Sequence, residues 1–510
     1  MSKLTKISLL LAVFLALDKG LGILRFILIG RLFGLSAEMD VFNAANNVPD
    51  LLFALISGGA LAMAFIPVLS EVLTKDGKDG AWKLFSRIAN LAFLVTAAAA
   101  VVVAIIAPVI VSSEIGIAPG FTPEQQALVV ELMRMNLIGT LIFSLSGLVM
   151  AGLQANQHFL LPAMAPALYN IGQIFGITIL APSKGLTIGG LTLPACGLGV
   201  QGMVYGVIIG AFLHLAIQIP GLKKYQFRWS FGLGLNDVSV RKVLKLLGPR
   251  LLTMLSVQLI FIVRDNLASR LAEGSITALT YGWMIQQVPE TIIGTAIGIA
   301  LLPTLSEFVA RDEKEQFKAT IEKAERVLLG LMLPIAGILA LGLGPVVSFA
   351  FNLDPQAADL LMWATRGFLV GLAGHSILEV ANRSFYARQD AWTPLIGSTF
   401  NLVLYIVVGI VLFQILGVAG IALTDSLAFT TQAILMMTLL NRKLTNPVSI
   451  GSAVLKGILA LVLGGGVTFL VLSVSEGLIP GVPASILAML LGAGAALPIV
   501  WREVRLLIRL

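Results

Sequence analysis

Apolar runs long enough to cross a lipid bilayer recur along nearly the whole of this 510-residue chain. A membrane-spanning helix needs about 20 mostly apolar residues, and about fourteen such runs are present, near 7–30, 42–72, 86–112, 126–152, 160–181, 198–220, 243–272, 279–309, 322–351, 356–385, 394–416, 418–440, 448–474 and 481–500. Charged residues make up only 12% of the chain, against about 25% in soluble proteins. The sequence therefore predicts an all-α integral membrane protein with about fourteen transmembrane helices.

Lysine and arginine residues concentrate in alternate short loops. The loops rich in them hold Lys75, Lys78, Lys83 and Arg87; Lys223, Lys224, Arg228, Arg241 and Lys242; Arg311, Lys314 and Lys318; Arg383 and Arg388; and Arg442 and Lys443. The opposite loops, at 36–40, 112–124 and 354–358, are poor in them. Because positively charged loops stay in the cytoplasm, this pattern predicts that both termini are cytoplasmic. The net charge of +7 is thereby interpreted as a topology signal, and no nucleic-acid partner is expected.

Cysteine and histidine are too scarce to build a metal site. The single cysteine, Cys196, excludes an intrachain disulfide, and His158, His214 and His375 are widely separated in the sequence. No GxxxxGK[ST] phosphate-binding loop is present. We therefore expect no bound metal, no ATP site and no other organic cofactor.

An internal repeat divides the first twelve predicted helices. VPDLLFALISGGALAMAFIPVLSE (48–71) resembles VPETIIGTAIGIALLPTLSE (288–307), and the match extends backwards to pair Arg31 with Arg270. Each copy holds an even number of helices, so both enter the membrane from the same side, as in a parallel repeat. We expect two pseudo-symmetric six-helix lobes around a central cavity, with domains at 1–222 and 223–442, and two extra helices in 443–510.

Ionic residues lie inside the first predicted helix. Asp18, Lys19 and Arg25 fall within the run DKGLGILRFILIGR (18–31), although each costs roughly 2.5–3.5 kcal/mol at the centre of a membrane helix. At about 100° per residue they share roughly a third of the helix circumference. A polar sector of this kind on an apolar helix should face a partner or water.

The repeat places a similar set of polar residues in the second half. Arg25 aligns with Arg264 and Lys19 with Gln258, while the second-helix residues Asn46, Asn47 and Asp50 align with Gln286, Gln287 and Glu290. We interpret these residues as the lining of a polar binding cavity. The alternative is structural: Arg25 with Asp50, and Arg264 with Asp265 or Glu290, would form internal ion pairs that fix helix packing.

Two residues of the tenth predicted helix have two possible interpretations. His375 and Glu379 are spaced i, i+4, which suits either a proton relay or a buried hydrogen-bonded pair.

Four prolines lie inside predicted helices. We expect Pro49, Pro67, Pro289 and Pro303 to break or kink these helices.

The order of several motifs resembles the MurJ lipid II flippase family, within the superfamily of multidrug and oligosaccharidyl-lipid exporters. The similarity covers most of the first twelve helices and lies in LGILRFILIGRLFG (21–34), Asp40 followed by Phe42, VPDLL and AFIPVLSE, ASRLAEGSI and GIALLPTLSE. The resemblance implies fourteen helices, a groove for the polyprenyl tail in the last two, and alternating access in a bacterial cytoplasmic membrane. It also implies that an ion gradient, of Na⁺ or H⁺, or the membrane potential drives the cycle.

The family resemblance carries over only part of the binding site. Lys19 and Arg25 match basic cavity positions, and Asp40 matches an acidic position at the outer end. A basic position in the second helix falls instead on Phe53 or Ala54, and an eighth-helix arginine position falls on Met284. Arg264 is our hypothetical replacement. A sodium site in some family members makes Asp265, Asn401 and Asp425 candidate ion-coupling residues.

We therefore expect a flippase and not an enzyme, moving a polyprenyl-pyrophosphate-linked disaccharide-peptide from the inner to the outer leaflet. The expected substrate-binding residues are Lys19, Arg25, Asp40, Asn47, Asp50, Arg264, Gln287 and Glu290. The expected partners are this substrate, membrane lipids and enzymes of cell-wall synthesis. Two alternatives stay open: an exporter of another lipid-linked oligosaccharide or amphipathic cargo coupled to Na⁺ or H⁺, and a membrane glycosyltransferase.

Overall fold

The structure, a computed structural model, describes residues 3–57, 59–188, 190–444 and 446–507. These residues are almost entirely helical, with one two-stranded hairpin. The chain divides into two compact units, Met1–Ile262 and Val263–Leu510. The expected all-α membrane fold is confirmed, since ten of the described helices are long and apolar enough to cross a membrane.

In the part of the chain that the structure describes, the first unit contains nine α-helices and the hairpin. The helices are α1 (Lys3–Phe33), α2 (Ala37–Leu52), α3 (Gly59–Lys75), α4 (Gly77–Ser112), α5 (Pro123–Ala155), α6 (Leu160–Phe175), α7 (Gly199–Ala216), α8 (Ile219–Lys224) and α9 (Val238–Ala268), the last of which extends into the second unit. The hairpin pairs β1 (Thr187–Ile188) antiparallel to β2 (Leu191–Thr192).

The second unit contains the remaining helices. They are α10 (Ser275–Pro289), α11 (Ala296–Ala310), α12 (Lys314–Gly342), α13 (Gly344–Phe351), α14 (Pro355–Val370), α15 (Leu372–Ala387), α16 (Trp392–Asn441), α17 (Ala453–Ser475) and α18 (Gly481–Leu507). Helix α16 holds two of the predicted spans. Gly417 has φ 56° and ψ −131°, a left-handed turn that glycine adopts without steric cost, and it separates them where the sequence predicts a boundary.

Several predicted spans are interrupted helices, and two of the interruptions follow prolines. The π-helical segment Phe53–Ser57 follows Pro49, and the segment Glu290–Thr295 follows Pro289. Proline cannot donate to the carbonyl four residues before it, and its ring clashes with that carbonyl, so it disturbs the turn that precedes each segment. The corresponding helix of each half therefore carries the same irregularity, as a duplicated sequence would. Helices α3 and α11 continue through Pro67 and Pro303.

Helices α6 and α7 pack closely through glycines. A Cβ at Gly172 would lie 2.4 Å from Cα of Gly210, and one at Gly176 would lie 2.6 Å from Cα of Gly206. Small residues allow such approach between membrane helices. Helix α6 also contacts α1, whose ionic residues Asp18, Lys19 and Arg25 form the ionic sector of that helix.

The predicted cytoplasmic loop after α8 packs on the start of α4. The indole N–H of Trp82 donates to the Tyr225 carbonyl over 3.1 Å, the Asn90 amide donates to the Ser230 carbonyl over 3.0 Å, and Arg87 forms an ion pair with Asp237. This loop therefore belongs to the first compact unit. The domain boundaries predicted at 222 and 442, and the expected cavity, stay predictions.

Candidate functional site

The ionic sector of α1 faces α6. Asp18 is half-buried, and its Oδ1 accepts a hydrogen bond from Nδ2 of Asn170 over 2.8 Å. Lys19 is exposed. A buried amide thus holds the carboxylate of Asp18 in place, while the neighbouring ammonium group stays accessible to a ligand.

Arg25 lies two turns further along α1 and is half-buried. Its guanidinium carbon is 4.8 Å from the ring centroid of Phe26. The Asp50 carboxylate in α2 lies within electrostatic range of Arg25, and both charges act on the hydroxyl of Tyr169 in α6. Three elements of the first unit therefore bring a cation, a carboxylate and a phenol into one region.

Helix α2 carries the other predicted residues of this half. Asp40 is buried in the first turn of α2, where a negative charge interacts favourably with the helix dipole. The amide of Asn47 donates to the Ala44 carbonyl over 3.3 Å within its own helix. Asp50 is exposed, and its backbone carbonyl accepts from Gln258 of α9 over 3.5 Å.

A pair of asparagines joins α2 to α5. Nδ2 of Asn136 in α5 donates to Oδ1 of Asn46 over 2.8 Å, and the amide of Asn46 donates to the Phe42 carbonyl over 3.0 Å. Asn46 therefore contributes to helix packing. Phe53 stacks edge-on against Phe143, with ring centroids 5.2 Å apart, so apolar packing replaces the basic group that the family resemblance implies near this position.

The second unit contains the repeat-related residues on α10 and the following π-helical segment. Oε1 of Glu290 accepts from the Thr295 hydroxyl over 3.1 Å, and Glu290 lies within electrostatic range of His375 and Glu379. Gln287 is half-buried, as is Met284. This half therefore carries the carboxylate of Glu290 and the amide of Gln287, and an apolar Met284 stands where the family resemblance implies an arginine.

Arg264 is engaged inside the protein. It is 7% exposed; its Nε donates to Asp265 over 2.8 Å and its Nη2 to the Thr280 hydroxyl over 3.3 Å. This is the internal ion pair that the sequence left open as an alternative. The hypothesis that Arg264 replaces a cavity cation stays a prediction, and these bonds give it no support.

The candidate ion-coupling residues are also bonded within the second unit. His375 Nε2 lies 2.8 Å from Oδ2 of Asp425, and the Asn401 amide donates to Oε1 of Gln432 over 2.8 Å. Glu379 pairs with Arg383 over 2.5 Å. His375 therefore bonds α16 and not its i+4 neighbour Glu379.

The sequence interpretation missed Asn170, Tyr169 and Gln173 on α6. All three are polar residues in the otherwise apolar run LLPAMAPALYNIGQIF (160–175). Asn170 and Gln173 are buried, and Nε2 of Gln173 has no hydrogen-bond partner among the described residues. Their i, i+3 spacing, the same signal that singled out α1, could have identified this face.

Comparison with known proteins places this arrangement in a family. The family described as lipid II flippase MurJ matches residues 29–489. The chain is 28% identical over 439 residues to the lipid II flippase MurJ of Burkholderia cenocepacia, covering 84% of this chain and 82% of that protein. It is 27% identical over 431 residues to a probable lipid II flippase MurJ of Bdellovibrio bacteriovorus, covering 83% and 79%.

Solved structures show the same fold. A lipid II flippase MurJ in an inward closed conformation superposes with a TM-score of 0.79 at 21% identity, covering 98% of this chain and all of that one. An inward-facing multidrug resistance transporter of the MATE family superposes with a TM-score of 0.67 at 16% identity, over 84% of this chain and 94% of that one. Because the family match spans most of the sequence, the chain belongs to the MurJ lipid II flippase family.

Proposed function

We propose that this chain is a lipid II flippase, which moves a polyprenyl-pyrophosphate-linked peptidoglycan precursor from the inner to the outer leaflet by alternating access. The observation that carries the proposal is the family match over residues 29–489. The ionic sector of α1 supports it, because cations placed within a membrane helix mark a path for a charged substrate.

Arg25 and Lys19 would bind the pyrophosphate. A guanidinium contacts phosphate oxygens through two parallel N–H donors, whereas an ammonium acts as a compact point charge. Arg25 is half-buried, and attraction for an anion is stronger in such a place than in bulk water. Asp50, within range of Arg25, would balance its charge while no substrate is bound.

Polar side chains in each unit suit contacts with a sugar or a peptide. We assign Asn47, Asp50, Gln287 and Glu290 to contacts with hydroxyl and amide groups, and Asp40 to the outer end of the path. Arg264 we assign to internal structure, because its guanidinium donates to Asp265 and Thr280.

The proposed function also specifies the orientation of the chain in the membrane, its partners and its energy source. We place both termini in the cytoplasm of a bacterium, as the basic loops indicate, and expect the chain to work beside enzymes of cell-wall synthesis. An ion gradient or the membrane potential would drive the cycle. A second candidate, an exporter of another amphipathic cargo, is favoured by Phe53, Ala54 and Met284 standing at positions where the resemblance implies basic residues.

Complementation tests the proposal. The chain is expressed in a bacterium depleted of its own lipid II flippase, and growth is scored for the wild type, Arg25→Ala and Arg31→Ala. Arg31 is an exposed arginine on the same helix and serves as the matched control. We expect rescue by the wild type and by Arg31→Ala, and no rescue by Arg25→Ala at equal membrane abundance. Rescue by Arg25→Ala would remove the pyrophosphate role of Arg25.

A further inference from the structure

Three buried residues of the second unit stand where the family resemblance implies a sodium ion: Asp265 on α9, and Asn401 and Asp425 on α16. All three are at least nine-tenths buried. A sodium ion in such a place needs oxygen ligands that are not already satisfied, and a carboxylate to offset its charge. The contacts of each residue test whether this chain meets those needs.

Asp425 already has a nitrogen partner. His375 Nε2 lies 2.8 Å from Oδ2 of Asp425, and the two side chains are 12% and 7% exposed. The imidazole stacks on Phe429 with ring centroids 4.0 Å apart and an interplanar angle of 18°. Because stacking fixes the ring plane, the nitrogen is held against the carboxylate and not merely near it.

Asp265 is satisfied by a permanent cation. Nε of Arg264 donates to Oδ1 of Asp265 over 2.8 Å, and the two side chains are 9% and 1% exposed. Arginine stays protonated in proteins, so the carboxylate is neutralised by a neighbour in its own helix. A second cation bound to Asp265 would experience the repulsion of Arg264 in a medium that screens charge weakly.

Two neutral groups of α16 stand near these pairs, and Tyr405 lies within electrostatic range of Asp265, Arg264 and Asp425. Asn401 donates to Gln432, which leaves its Oδ1 without a partner among the described residues, and the Tyr405 hydroxyl one turn later on the same helix also has none. One atom is an acceptor and the other a donor. The Tyr405 hydroxyl therefore needs an acceptor, which a cation cannot supply.

We infer that in this chain Arg264 and His375 take the positions that a coupling sodium ion would take, so that Asp265, Asn401 and Asp425 do not form a sodium site. The assignment extends beyond the proposed function, because it concerns the ion and not the cargo. It holds whichever lipid-linked substrate the chain moves.

Thermal unfolding of the purified full chain in detergent tests this inference. The Tm is measured in sodium chloride, potassium chloride and choline chloride at equal ionic strength, since an ion that binds only the folded state raises the Tm as its concentration rises. We expect the same Tm in all three salts for the wild type. A sodium-specific, saturable rise in Tm that Asp425→Asn or Asp265→Asn abolishes would overturn the inference. A rise that both variants retain would place sodium elsewhere and uphold it.

A His375→Ala variant provides a second test of the inference. His375→Ala leaves the Asp425 carboxylate buried and unpaired, and we expect this variant to gain a sodium-specific rise in Tm. A folded His375→Ala protein with no such gain would overturn the role of His375 in excluding sodium. If that variant does not fold, the wild type and the two carboxylate variants still decide the question. No lipid-linked substrate is needed, so a failure here is distinct from a failure of the proposed function.

Discussion

Nε of Arg134 in α5 donates a hydrogen bond to the carbonyl oxygen of Ala104 in α4 over 2.9 Å. The residue four places after Ala104 is Pro108, which has no N–H to donate, so the helix leaves this carbonyl unsatisfied. The second half contains the same contact: Nε of Arg366 in α14 donates to Ala340 over 3.0 Å, in the last turn of α12. Each half therefore uses one arginine to satisfy one orphaned carbonyl.

Loss of either arginine should reduce stability. Arg134→Met and Arg366→Met keep the apolar stem but leave an unsatisfied carbonyl, and we expect each to lower the free energy of unfolding by about 1–3 kcal/mol. The measurement is thermal unfolding in detergent. Arg311→Met, on an exposed ion pair with Glu307, is the control and should change stability little. Equal effects at all three positions would show that the carbonyl contacts contribute nothing specific.

The Asp18–Asn170 contact should matter for transport more than for folding. Asn170→Leu preserves the approximate volume and removes the donor that holds Asp18, so the ionic sector of α1 loses its orientation. We expect lower transport at unchanged protein abundance, and partial recovery in Asn170→Gln. The readout is lipid transport per folded protein. Full transport by the leucine variant would show that Asn170 does not position Asp18.

The glycine contact between α6 and α7 should tolerate no methyl group. Gly172→Ala places a Cβ 2.4 Å from Cα of Gly210, which forces the helices apart at a cost of about 1–3 kcal/mol. Gly466→Ala in α17 is the matched control, because its Cβ would meet nothing within 4 Å. Unfolding in detergent should show a lower Tm for the first variant alone. Matching Tm values in the two variants would refute the close-packing argument.

Asp390, in the predicted cytoplasmic loop before α16, should make stability depend on pH. Partial burial raises the pKa of Asp390, but hydrogen bonds from Lys443 and Thr393 outweigh it and lower the pKa from 3.8 to about 2. A carboxylate whose pKa falls on folding stabilises the protein above its unfolded pKa, and this contribution is lost as pH falls from about 4 to about 2.

Asp390→Asn isolates this contribution. It removes the ion pair with Lys443, whose Nζ lies 2.6 Å from Oδ2 of Asp390. We expect a lower Tm at pH 7 and a smaller loss of Tm on acidification than in the wild type. Glu476→Gln, in the loop that follows α17, is the control carboxylate. Parallel pH profiles for the wild type and Asp390→Asn would show that Asp390 does not contribute.

The helices could be predicted from the sequence because each apolar run is long enough to span a membrane by itself. The boundary at Gly417 and the irregularity after Pro289 were predictable for a similar reason, since glycine and proline act on their own backbone. The sequence did not predict the form of the irregularity, because α2 and α10 continue into π-helical segments where a break or kink was expected.

The site was less predictable because its contacts join residues far apart in sequence. Asp18 and Asn170 are separated by 152 positions, and periodicity within one helix gives no information on its neighbour. The repeat suggested equivalent roles for Arg25 and Arg264, but only Arg264 is followed directly by an aspartate. Arg264 therefore forms an ion pair with Asp265 in its own helix, while Arg25 lies within electrostatic range of Asp50 on another helix.

The decisive experiment is translocation of labelled lipid II by the purified protein in liposomes, with Arg25→Ala and Arg31→Ala measured alongside. We expect lipid II to reach the opposite leaflet with the wild type and with Arg31→Ala, and to stay at the background level with Arg25→Ala. Translocation by Arg25→Ala at the wild-type rate would rule out the role of Arg25, and no translocation by the folded wild type would rule out a lipid II flippase.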